Sequence, residues 1–294
     1  MRFAFVPLAV LGLGLCAAPA AGQYRDAHST SYLFSAEVRD ARSLWVNPAG
    51  LAVAYEASIM GEIVLDRLID DGLALAQYTA GFSSGGLAFG FRHDRLSDTL
   101  SANTFRLGAA RGFTGFAVGL AATIHTNADF DAQREFDLGV RVALARRLEL
   151  AASIHHIGRP VVIDSTLTTA VTAGFGWTPL DYLRVTADVL TADRTVGAGV
   201  VNTWRGGLQL GFGGKVPIGA FGSVTLDDDF EPARASVGFS VGGARRGVLV
   251  ASERLRDGSV RAETLSLTGL AINPLGRQGR WGQSTSLSGI TRQR

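Results

Sequence analysis

A chain of 294 residues with 37 glycines and only 18% charged residues departs from soluble-domain composition, which carries more charge and less glycine. Its mean hydropathy is +0.19, yet beyond residue 22 no run of roughly 18 apolar residues occurs, which excludes a helical membrane span. The formal net charge of +2 comes from scattered arginines, with Lys215 the sole lysine, and this excludes a nucleic-acid-binding stripe.

The first element in the chain is a predicted signal peptide over residues 1–22. Arg2 precedes an apolar run at 3–15, and Ala17, Ala18, Pro19, Ala20, Ala21 and Gly22 follow it as a small-residue cleavage region. Cleavage after Ala20 or after Gly22 fits equally well. Cys16 is the only cysteine, and Leu15 stands where a lipobox needs a small residue, so lipidation is not expected. A mature chain without cysteine suits an oxidising envelope and leaves no disulfide, thiolate metal site or cysteine nucleophile.

Residues 23–56 do not alternate in hydropathy. Within them Asn47, Pro48, Ala49, Gly50 and Leu51 read locally as a turn, because proline fixes φ and glycine tolerates positive φ. Leu44 and Trp45 precede that turn, as apolar residues that line a pocket or pack against a wall.

From residue 57 the pattern has period two, in segments long enough for a tilted strand to cross a bilayer. Leu87, Phe89 and Phe91 share one face, and Ala88, Gly90 and Arg92 the other. Leu183, Val185, Ala187 and Val189 likewise oppose Arg184, Thr186 and Asp188, and Val237, Phe239 and Val241 oppose Ser236, Gly238 and Ser240. One face suits lipid and the other a lumen.

The pattern predicts an all-β protein: a transmembrane antiparallel barrel of about 14 strands over residues 57–268. The strands fall at 58–66, 73–82, 86–94, 102–111, 113–125, 136–145, 147–157, 167–178, 181–190, 203–212, 215–226, 233–242, 245–254 and 259–268. Tight links at 83–85, 112, 146, 179–180, 213–214 and 243–244 alternate with longer polar links at 67–72, 95–101, 126–135, 158–166, 191–202, 227–232 and 255–258. Short periplasmic turns and longer extracellular loops have this asymmetry. A closed sheet is required because lipid offers no partner for a strand edge. A soluble β-sandwich is the alternative, and sparse charge and the number of strands weigh against it. Residues 269–294, rich in glycine, serine and arginine, read as a flexible periplasmic tail.

Asn47, Pro48, Ala49, Gly50 and Leu51, placed after a signal peptide and before a barrel pattern, resemble the FadL-like superfamily. That superfamily includes fatty-acid and aromatic-hydrocarbon channels and the PorV/PorQ-type barrels of type IX secretion. The resemblance implies fourteen strands and an N-terminal hatch, here residues 23–56, seated in the lumen by the turn at 47–51. It also implies an outer-membrane location and passage of hydrophobic small molecules. The alternative it implies is a non-enzymatic accessory or scaffold barrel with secretion-system partners. The chain is shorter than the fatty-acid channels and continues past its last strand, both departures from that pattern.

Arg92, Arg106, Arg141, Arg184 and Asp188 fall on the small-residue face. In lipid they would be costly, so they are expected to point inward and pair with one another or with the hatch. His155 and His156, as neighbours on a strand, are expected on opposite faces and unable to chelate one metal. Asp227, Asp228, Asp229 and Glu231 read as a solvated acidic loop tip rather than a Ca²⁺ site, and Gly211, Phe212, Gly213 and Gly214 as a strand end and turn. No catalytic set, metal motif or cofactor motif emerges, so an enzyme is not expected.

Overall fold

Alternation of bulky apolar with small or polar side chains gives each segment two faces, and the chain resolves them by closing a cylinder. A computed structural model describes residues 29–53, 57–67, 73–95, 101–127, 130–162, 165–193, 199–213, 217–243 and 246–271. The predicted signal peptide and most of the predicted tail lie outside the described residues. No helix among the described residues is long and apolar enough to cross a membrane.

Two short helical turns, α1 (Ser43–Val46) and a 3₁₀ turn η1 (Pro48–Val53), precede the strands. The strands are β1 (Ala57–Asp66), β2 (Ala74–Ser84), β3 (Leu87–Arg95), β4 (Ser101–Phe113), β5 (Phe116–Asn127), β6 (Phe130–Ala145) and β7 (Leu148–Ile157). After a two-residue pair, β8 (Val161–Val162) and β9 (Ser165–Thr166), come β10 (Ala170–Leu180), β11 (Leu183–Asp193), β12 (Val200–Phe212), β13 (Ile218–Leu226), β14 (Pro232–Gly243), β15 (Arg246–Leu255) and β16 (Val260–Ala271). All but β8 and β9 form one closed antiparallel barrel of fourteen strands. Closure is made by β1 against β16, in register from Ala57 opposite Ala271 to Asp66 opposite Ala262.

The outer face is apolar and uncovered. Leu87 and Phe239 are each 65% exposed, a state expensive in water and favourable against acyl chains. The inner face holds Glu62, Gln77, Arg106, Asp137 and Thr186, all buried. Aromatic pairs sit toward both rims: Phe113 stacks on Phe116 near the short turns and Trp204 on Phe230 near the long loops, as in interfacial girdles.

Several boundaries differ from the sequence expectation. The first tight turn is Gly85 and Gly86 rather than 83–85; their φ values of 58° and 87° fit a two-residue hairpin turn that needs positive φ twice. The next one is not Gly112 but 114–115, with β4 running on to Phe113. Pro179 lies within the end of β10, where the register slips between Trp177 and Leu180, and the turn moves to Asp181 and Tyr182. The long loop expected at 126–135 is strand on both sides, because β5 reaches Asn127 and β6 begins at Phe130. Above the bilayer a strand needs no apolar face, so its polar sequence reads as loop. The β8–β9 hairpin was not foreseen; Val162 tucks into a cluster with Ala102 and Leu167.

Candidate functional site

Residues 29–53 lie in the lumen. Asn47 separates α1 from η1 with an extended backbone, φ −157° and ψ 106°. Its Oδ1 accepts the Ala49 amide at 3.0 Å, and its Nδ2 donates to the carbonyls of Val140 and Ala152, each at 3.3 Å. One buried carboxamide therefore closes the turn and ties it to β6 and β7. Pro48 opens η1, where its missing amide hydrogen costs nothing. Gly50 lies so close to the Val38 carbonyl and Ser43 that a Cβ would overlap both.

The wall beneath this turn is built of glycine. A Cβ on Gly90 would stand 2.7 Å from the Trp45 ring and 2.9 Å from Leu44. On Gly108 it would meet Leu44 and Leu51, on Gly119 it would overlap the backbone of Pro48 and Ala49, and on Gly139 it would overlap the Asn47 Oδ1 and crowd the Ala49 amide and the Pro48 ring. Gly207 makes the same close approach to Phe34, at 2.6 Å. Four successive strands, β3 to β6, thus offer a side-chain-free surface to residues 44–51. Leu44 and Leu51 are fully buried there with Ala88 and Ala121.

Charged groups pin the preceding residues. Arg141 donates to the carbonyls of Val38 and Ala36, both at 2.6 Å, and to Glu149 at 2.7 Å. Arg184 donates to the Ala36 carbonyl at 2.8 Å. Arg205 donates to the carbonyls of Ser31 and Leu33 and lies over the Phe34 ring. Asp188 accepts from the Ser35 amide at 2.8 Å and hydroxyl at 2.9 Å, with Arg205 3.1 Å away. Glu62 takes the Thr30 amide and the Tyr32 hydroxyl, Ser58 takes the Ala41 amide, and Arg39 pairs with Glu149. Backbone that joins no helix or sheet has these carbonyls satisfied by guanidinium groups instead.

Toward the long-loop rim a second polar group faces the lumen. Arg106 pairs with Asp137, His155 Nδ1 lies 3.0 Å from Asp137, and His156 Nδ1 lies 2.6 Å from Glu135. Strand alternation predicts opposite faces for the two histidines, and the structure corrects this. His155 and His156 stand together opposite Asp137 in a bulge, and His156 has φ +57°, which brings both rings to the carboxylates.

At the short-turn end, a cavity of about 50 Å³ opens between the luminal segment and β13 to β15. Tyr32, Leu33, Phe221 and Leu249 give it apolar walls, and Glu37, Arg42 and Gln209 give it polar ones. The acidic loop tip is a structural turn: Asp227 Oδ1 accepts the amides of Asp229 and Glu231, and Asp228 accepts that of Asn202. In the next loop Ser259 donates its hydroxyl and amide to Asp257, holding that carboxyl below the usual range.

The crystal structure of the Ralstonia pickettii toluene transporter TbuX matches with a TM-score of 0.56 at 11% identity, over 81% of this chain and 95% of that one. The two share a fold, here a closed antiparallel barrel of fourteen strands. A bacterial polysaccharide outer-membrane secretin matches with a TM-score of 0.51 at 8% identity, over 73% of this chain and 98% of that one. A Pseudomonas aeruginosa FadL homologue matches at 0.49 and 11% identity, over 80% and 95%. No family model and no curated protein sequence matches the chain.

In this barrel the turn residues at 47–51 lie together on the glycine wall. Leu44 packs against that wall, and Trp45 lies between the guanidinium groups of Arg92 and Arg106, each 5.3 Å from its ring. Arg92 itself pairs with Asp94 at 2.9 Å. Arg106, Arg141, Arg184 and Asp188 all face inward. Sequence reasoning missed Arg205, Glu62 and Glu149. The first two lie on the inner-face register of their strands, so extending the alternation through Gly206 and through Met60 would have found them. The glycine wall carries no such signal, because a glycine facing a ligand and a glycine facing empty space read alike.

Proposed function

We propose that this barrel sits in the bacterial outer membrane, exported by its signal peptide, and passes hydrophobic small molecules, with residues 23–56 as a movable hatch. The observation that carries this reading is the cavity beside Tyr32, Leu33, Phe221 and Leu249, where the hatch meets the wall through apolar side chains. A site of about 150 Å³ holds benzene, so the 50 Å³ present here is a narrow start to a path. Passage of an aromatic molecule then requires the hatch to shift.

The test locks the hatch. Ser35 and Asp188 are in hydrogen-bond contact, and the only native cysteine, Cys16, lies in the predicted signal peptide. A Ser35→Cys/Asp188→Cys barrel in liposomes is expected to take up toluene when reduced and to stop when oxidised. Equal uptake in both states would refute a moving hatch.

One observation favours a second reading, a non-enzymatic scaffold barrel that binds secretion-system proteins. Arg141, Arg184 and Arg205 satisfy hatch carbonyls at four positions, a density of anchoring that suits a fixed plug. A scaffold predicts no toluene uptake in either redox state.

A further inference from the structure

The group at the long-loop side of the hatch is not used by passage of an apolar molecule, and its donor chemistry is specific. Glu135, Asp137 and His156 each present one ligand atom, all within 4.8 Å of one another. Glu135 and Asp137 are buried, at 2% and 0% exposure, whereas the His156 side chain is 34% exposed, which gives an ion a way in. Two donors around tetrahedral zinc, each about 2.1 Å from the metal, stand about 3.4 Å apart.

One observation outside the three-residue group points to a ligand. His125 is 3% exposed, and its Nε2 makes no hydrogen bond although Glu135 Oε1 lies 3.2 Å away. Its other nitrogen is held by the Thr104 hydroxyl at 3.1 Å, the outer contact that fixes a metal-binding imidazole. The Nε2 of His125 and Glu135 Oε1 thus face each other 3.2 Å apart outside hydrogen-bond geometry, a separation that a cation held by both would satisfy. His156 holds φ +57°, a left-handed conformation that histidine adopts more readily than most residues, and this turns its ring onto Glu135.

We propose that Glu135, Asp137 and His156 form a binding site for a divalent cation of the zinc class, with His125 as a further nitrogen donor on the Glu135 side. Mixed imidazole and carboxylate donors favour zinc, cobalt or nickel over calcium and magnesium, which take oxygen. Arg106 occupies one oxygen of Asp137, so this residue binds through the other, now taken by the His156 amide. The ion ties β6 to β7, the two strands whose carbonyls hold Asn47.

The experiment uses the full barrel, purified in detergent without a histidine tag. Zn²⁺ uptake is measured by equilibrium dialysis, and Co²⁺ serves as a visible-absorption probe of coordination. One equivalent of zinc and a cobalt spectrum with imidazole ligation are expected. His156→Asn, whose side chain tolerates the same backbone, and Glu135→Gln are each expected to weaken binding on the order of tenfold or more. His93→Ala, outside the group, is expected to bind as the parent does. Heat-modifiable migration checks that each variant is folded. No zinc uptake by the parent at sub-millimolar metal, or undiminished uptake by both site variants, would overturn the proposal.

Discussion

Asn47 and Gly139 face each other so closely that a Cβ on Gly139 would overlap the Asn47 Oδ1, the atom that accepts the Ala49 amide. The turn and the wall are therefore complementary at the level of single atoms. Asn47 supplies three hydrogen bonds, and Gly139 supplies the absence of a side chain that lets them form.

Gly139→Val adds a side chain where Asn47 Oδ1, the Ala49 amide and the Pro48 ring already stand. Overpacking of this kind costs roughly 1–3 kcal/mol, and the rigid β6 strand cannot yield, so the hatch is expected to leave its seat while the barrel stays closed. Protease cleavage of the hatch in a barrel that keeps its heat-modifiable migration checks this. Gly61→Ala, which meets nothing within 4 Å, is expected to behave as the parent chain.

Asn47→Ala leaves the buried Ala49 amide without its acceptor and the Val140 and Ala152 carbonyls without this donor. An unsatisfied buried group costs about 1–3 kcal/mol. The midpoint of urea unfolding in detergent is expected to fall accordingly, and an unchanged midpoint would remove Asn47 from the account of how the turn is held.

Arg141→Met deprives the Val38 carbonyl of its guanidinium, whereas the Ala36 carbonyl keeps Arg184 and Glu149 keeps Arg39. A hydrogen bond to a charged group contributes about 1.5–3 kcal/mol, which corresponds to roughly a ten- to hundredfold change in the open fraction. Hatch proteolysis in the folded barrel is expected to accelerate by that factor. Arg147→Met, which removes a pair exposed at both partners, is expected to change nothing measurable.

The barrel was legible because its rule is local: residues such as Leu87, Ala88, Phe89 and Gly90 show their two faces without reference to any other strand. Inward placement of Arg92, Arg106, Arg141, Arg184 and Asp188 follows from the same rule. Their partners do not, because Arg141 meets Ala36 and Val38 more than a hundred residues away, through backbone atoms that every residue has. His156 shows where the rule itself fails. One bulge residue with positive φ reverses a face, and an ordinary histidine gives no notice of it.

The central claim is that the bulky face of each strand meets acyl chains while the hatch is shielded inside. Two tryptophans separate these places: Trp177 is 47% exposed on the outer face of β10, and Trp45 lies in the lumen between two arginines. Single-tryptophan barrels, with the other three of the four tryptophans replaced by phenylalanine, can be reconstituted in bilayers of brominated lipid. Strong quenching of Trp177 and little quenching of Trp45 is the result predicted. Equal quenching of both, or an unquenched Trp177, would contradict the account.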